Sequence, residues 1–327
     1  MKKISKGPFL SIAIALIATL FGNVFPIIGS AVFAIIIGLL LNNTISIPVD
    51  FQPGIKFSSK KILQASIVLL GFSLSIQDIQ STGLSSLSVT LITIVVAFIS
   101  AFLIGKWLKI PVNTATLIGV GTAICGGSAI AAVSPIIEAK DEEIALSIST
   151  IFLFNIVAVF LFPFIGHLMN LSDSGFGLWA GTAINDTSSV VAAGYSYSES
   201  AGDYATIVKL TRATLIIPVS LLIAGIQLYK KRRNAEKVSL KQIFPWFILW
   251  FLVASLISSI GILPELFITS AKWLSRFMIA MALASIGLSA NVKELLKTGV
   301  KPVLLGLITW FFVAASSLLV QFIQGQL

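Results

Sequence analysis

The chain has 327 residues, of which 57% are apolar and only 11% charged, and its mean hydropathy is +1.01. A water-soluble domain needs roughly a quarter of its residues charged, so this composition excludes a soluble globular chain and points to a lipid-facing surface. The net charge of +9 does not indicate nucleic acid, because the basic residues cluster in short stretches between apolar runs, where positive-inside bias puts them.

Apolar runs of about 20 residues recur along the whole length, which is the mark of a helical bundle rather than of a β-barrel. The expected fold is an all-α polytopic membrane protein with about eleven crossings. The first run, 8–23, follows "MKKISKG" and resembles a signal peptide, but no small-residue cleavage site follows it. It reads as a retained helix, with a second at 26–41. Residues 42–60 hold two prolines and a glycine and read as a cytoplasmic loop. Crossings at 61–77, 85–106, 113–135, 144–167, 175–195, 204–229, 243–262, 271–289 and 301–323 complete the set. This divides the chain into two leading helices (1–60) and a repeat-containing region (61–327), with core helices at 113–229 and flanking ones at 61–110 and 270–325.

Charge tests the connections. Lys2, Lys3 and Lys6, Lys56, Lys60 and Lys61, Lys106 and Lys109, "KKRRNAEK" at 230–237, and Lys293, Lys297 and Lys301 fall on one side. "DIQSTG", "EAKDEE", "YSESAGD" and the uncharged C-terminus fall on the other. The N-terminus is therefore expected in the cytoplasm and the C-terminus outside.

Two internal repeats stand out. "GFSLSIQDIQSTG" (71–83) matches "GLSANVKELLKTG" (287–299) at Gly71, Ser73, Thr82 and Gly83, and the crossing count makes the two copies opposed in the bilayer. Opposed duplicates of this kind characterise many secondary transporters. "GTAICGGSAIAA" (121–132) recurs sixty residues later as "GTAINDTSSVVAA" (181–193). The crossing count makes this second pair parallel; a re-entrant turn at either break would invert it.

The second repeat carries the chemistry. Gly126 and Gly127, beside Cys125, loosen a helix in mid-span, and the half-helix starting at Ser128 would offer unpaired amides to an anion. Close helix packing is the competing reading of the same small residues. Asp186 lies inside an apolar crossing, where an ionised group costs at least about 2.5–3.5 kcal/mol unless paired or hydrated. Asn185, Thr187, Ser188 and Ser189 surround it with oxygens. The cluster could bind substrate, hold sodium at Asn185, Asp186 and Ser189, carry a proton on Asp186, or simply cap the following helix.

Lys209 and Arg212 are three apart and share a helix face. Lys209 reads as a chain snorkelling to the outer surface, whereas Arg212, a turn deeper, would neutralise Asp186 or attract an anion. Glu138, Glu142 and Glu143 read as a solvated loop, and Asn155 as an interhelical hydrogen bond. Cys125 is the only cysteine and His167 the only histidine, so neither a disulfide nor a cysteine zinc cluster can form within the chain. No catalytic or nucleotide-binding fingerprint appears, so an enzyme is not expected and no cofactor is required.

"GTAICGGSAIAAVSPII" followed by "INDTSSVVAAG" resembles the YeiH-type bacterial membrane proteins, a family that carries a sulfate-exporter label. "ALSISTIFLF" and "MALASIGLSANVKELLKTGVKPVLLGL" are similar, more distantly, to stretches of bile acid:sodium symporters. The resemblance implies a panel-plus-core arrangement with inverted repeats and interrupted crossing helices. The Asn of the symporters' sodium pattern is missing beside the glycines here, so the coupling ion stays open between sodium and protons. The expected activity is ion-coupled export of a small anion such as sulfate, sulfite or an organosulfonate. The rivals are a cation/proton antiporter using Asp186 and a membrane receptor without transport. Lipid is the surrounding partner, and a homodimer is left open.

Overall fold

The computed structural model describes residues 6–24, 29–45, 47–231, 246–289 and 299–327, and among them it is helical without a strand. Lys2, Lys3, Lys293, Lys297, the basic run from 232 to 237 and residues 290–298 of the 287–299 repeat lie outside the described residues.

The helices are α1 (Lys6–Val24), α2 (Gly29–Thr44), α3 (Gln52–Phe57), α4 (Leu63–Gly71), α5 (Ile76–Trp107), α6 (Val112–Ala123), α7 (Gly127–Val133) and α8 (Asp141–Leu168). They continue with α9 (Asp173–Ala183), α10 (Thr187–Tyr197), α11 (Glu199–Thr214) and α12 (Ile216–Lys231). The last three are α13 (Trp246–Ser259), α14 (Glu265–Ser289) and α15 (Val300–Gln324). Five described helical stretches are long and apolar enough to cross a bilayer unaided, namely 76–107, 142–168, 199–226, 265–289 and 300–324. Shorter apolar helices lie at 6–22, 30–44 and 246–259. The protein is an all-helical polytopic membrane protein.

Three expectations change. The 42–60 segment is not a loop throughout: a 3-10 turn at Val49–Phe51 leads into α3, and a wider π turn at Ser58–Ile62 joins α3 to α4. Pro53 stands in the first turn of α3, where a missing N–H costs nothing, so the proline starts a helix instead of breaking one. "DIQSTG" is also helical, because Ser75 caps α5: its Oγ accepts from Asp78 N at 3.0 Å and donates to the Asp78 carboxylate at 2.6 Å. Finally, Glu143 is no mere solvated loop residue. Its Oε2 accepts from Lys140 N at 2.9 Å, closing the first turn of α8, and from Asn113 Nδ2 on α6 at 3.2 Å.

The chain packs as two compact units. The first comprises Met1–Thr82, Val191–Glu199 and Trp246–Val292. Its helices are stitched by serines: Ser11 and Ser285 share a hydrogen bond of 2.7 Å, and Ser275 Oγ donates to Ser66 O at 2.7 Å. Such bonds replace the hydrophobic drive that lipid cannot supply between helices. The second unit comprises Gly83–Val190, Ser200–Pro245 and Lys293–Leu327. There α9 is clamped by α8 and α15. Phe162 stacks on Trp179 with ring centroids 4.1 Å apart, Trp179 Nε1 donates to Ala314 O at 3.1 Å, and Thr182 Oγ1 lies 2.7 Å from Ser317 Oγ.

Candidate functional site

The site lies in the second unit, where two helices stop in mid-course. α6 has 12 residues and α9 has 11, so each rises about 17–18 Å, roughly half the hydrocarbon thickness. Each then breaks at the repeated motif: α6 gives way at Ile124–Gly126 before α7, and α9 at Ile184–Asp186 before α10. Gly126 adopts φ +63° and ψ −127°, a conformation open essentially to glycine alone. A Cβ built on it would lie 3.3 Å from Ile151 Cγ2, 3.7 Å from Asp186 Cβ and 3.8 Å from Asn155 Nδ2. The two breaks therefore abut.

A broken helix leaves its last carbonyls without intrahelical partners, and the bilayer offers no water to replace them. One helix meets that need for both. Lys209 and Arg212 of α11 are each 0% exposed. Lys209 Nζ donates to Ile124 O at 2.7 Å and to Ile184 O at 3.0 Å. These two carbonyls occupy equivalent positions in the sixty-residue repeat. Arg212 Nε donates to Ala123 O at 2.7 Å, its Nη1 to Ile184 O at 3.2 Å and Gly181 O at 3.5 Å, and its Nη2 to Thr122 O. Both cations thus sit on the negative ends of α6 and α9, the favourable place for positive charge. Gly181 lets α11 approach this closely: a Cβ there would fall 2.7 Å from Val208.

Two readings of the sequence are corrected here. Lys209 does not snorkel to a surface; it is wholly buried on backbone oxygens. Arg212 does not neutralise Asp186 by contact, since its donors go to carbonyls and, among the described residues, no salt bridge joins them.

Asp186 closes the other half of the break. Its carboxylate accepts from Ser188 N at 3.0 Å and from the Ser188 hydroxyl, so it caps α10. Its own N–H donates to Asn155 Oδ1 of α8 at 3.2 Å, which makes Asn155 the interhelical bond its mid-span position suggested. Asn185 is 1% exposed, and its Oδ1 has no partner among the described residues; neither has the Oγ1 of buried Thr122.

Cys125, Gly126, Asn185, Asp186, Ser188 and Arg212 thus come together, with Thr187 half-buried and Ser189 buried in the first turn of α10. Gly127 is half-buried and Ser128 exposed on α7, outside the buried cluster. Lys209 belongs to the cluster although the sequence assigned it another task, its three-residue spacing from Arg212 being the signal, and Asn155 joins the cluster through the interhelical bond expected of it.

A membrane protein in which one cationic helix caps two interrupted helices is the class these features define. The chain belongs to the family described as conserved hypothetical protein 698, which matches residues 6–306. It is 46% identical to a UPF0324 membrane protein of Streptococcus pyogenes over 98% of this chain and 97% of that one. It is 43% identical to one of Clostridium tetani, covering 100% and 99%, and 43% to one of Fusobacterium nucleatum, covering 98% of each. No solved structure matches it.

Proposed function

We propose that this protein is a secondary active transporter of the bacterial inner membrane that exports a small anion, such as sulfate, sulfite or an organosulfonate, by alternating access coupled to protons or sodium. The observation that carries this reading is the pair Lys209 and Arg212, buried where two helix breaks meet, against the single carboxylate of Asp186. The excess of positive charge suits an anion. The unpartnered Asn185 and Thr122 provide polar groups for it to engage. Interrupted helices around a central site are the usual construction of secondary transporters. The lysine distribution supports a cytoplasmic N-terminus and an outer C-terminus.

The test is flux of labelled sulfate, sulfite and a sulfonate into proteoliposomes. Wild type should carry at least one of them, and Arg212→Ala, reconstituted from the fraction that elutes folded, should not. Absence of flux for every anion, with ligand binding retained, would favour a receptor instead. A second reading, cation/proton antiport, draws on the Asp186 carboxylate beside the unpartnered Asn185 oxygen. It requires sodium-driven proton movement that Asp186→Asn abolishes.

A further inference from the structure

We propose that the site accepts a singly charged oxyanion, and that a doubly charged one binds well only when a further positive charge is supplied. This rests on the anion-transport reading and narrows it. Lys209 and Arg212 each face the carbonyl ends of α6 and α9, and Asp186 faces the amide end of α10. The position equivalent to Asp186 in the first copy is Gly126, and the two adjoin. The first copy supplies no carboxylate, so the cluster of Lys209, Arg212 and Asp186 keeps one formal positive charge, with Lys209 and Arg212 buried away from water.

Charge in such surroundings is costly unless matched. One bound negative charge brings the cluster to neutrality. A dianion would reverse the sign and surrender a larger hydration shell. A monovalent cation would raise the imbalance from one charge to two. The unsatisfied groups agree with an anion: the Thr122 hydroxyl is a donor, and the amide of Asn185 can present its NH2 in its other orientation. The negative charge that the first copy does not supply is delivered by the substrate.

The test uses purified full-length protein and three probes of related chemistry, with binding read by calorimetry. Methanesulfonate carries one negative charge and sulfate two across neutral pH, while sulfite passes from one to two in that range. Methanesulfonate should bind roughly a hundredfold more tightly than sulfate. Sulfite should tighten as the pH is lowered. Methanesulfonate run over the same pH series reports any titration of the groups facing the site, namely Asp186, Cys125, Lys209 and Arg212. Asp186→Asn preserves the helix cap, since Asn caps as well as Asp, and adds one positive charge; it should turn the preference toward sulfate. Sulfate binding as tightly as methanesulfonate in wild type, or a preference unchanged in Asp186→Asn, overturns the charge inference while leaving anion transport standing. Failure of all three probes to bind overturns both. Should the variant not fold, the wild-type sulfite series decides by itself.

Discussion

Gly126 and Asp186, equivalent residues of an internal repeat, sit side by side: a methyl carbon on the glycine would come within 3.7 Å of the aspartate Cβ. The duplicated motif has thus converged in space on its own copy, and the two copies have diverged at the contact. One became a backbone turn that only glycine can make; the other became a carboxylate that caps a helix.

Gly126→Ala should therefore damage folding more than an ordinary glycine replacement. The positive φ strains any L side chain, at about 1–3 kcal/mol, and the new methyl meets Ile151 at 3.3 Å. Thermal unfolding in detergent should show the loss, with Gly127→Ala as the milder control because only Phe152, at 3.9 Å, lies near its added methyl.

Replacing Lys209 by Met removes the shared donor of Ile124 O and Ile184 O. Ile184 O keeps Arg212 Nη1, but Ile124 O is left alone in the buried break at about 1–3 kcal/mol, so the variant should lose several degrees of melting temperature or fail to accumulate. Arg212→Ala should be worse, since four carbonyls lose a donor. The two side chains share Ile184 O, so each single variant leaves it one donor and only the double variant orphans it; the double variant should therefore cost more than the sum of the singles.

At Asp186 the structural and functional roles separate by chemistry. Asp186→Ala should cost about 1 kcal/mol more than Asp186→Asn, because both remove the charge and only alanine removes the α10 cap. Equal destabilisation by both would show that the charge, and not the cap, holds the break together.

Cys125 is only 8% exposed. In the folded protein a bulky maleimide should leave it unmodified, and labelling should appear with unfolding. Rapid labelling under native conditions would contradict the packing described around the first break.

The breaks themselves were legible in the sequence, because "CGGS" and "NDTSS" put helix-breaking and capping residues at matching places in two apolar runs. The partners of the charges were not. Carbonyl acceptors carry no letter, so Arg212 had to be paired with the only acid in sight. Lys209 was misplaced for a geometric reason. α11 starts at Glu199, five residues before the expected start of the span, which puts Lys209 about 15 Å along the helix, near mid-membrane, rather than at its edge. The serines of "SESAGD" look like loop residues, but the stretch from Glu199 is already helical. Pro53 misled in the same way, since proline ends some helices and begins others.

Because, among the described residues, α11 alone furnishes side-chain donors to the carbonyl ends of both interrupted segments, the two are not released independently. A displacement of this rod large enough to withdraw Lys209 strips Ile124 and Ile184 of the same proton donor in one movement. The paired breaks are in effect keyed to a single bolt.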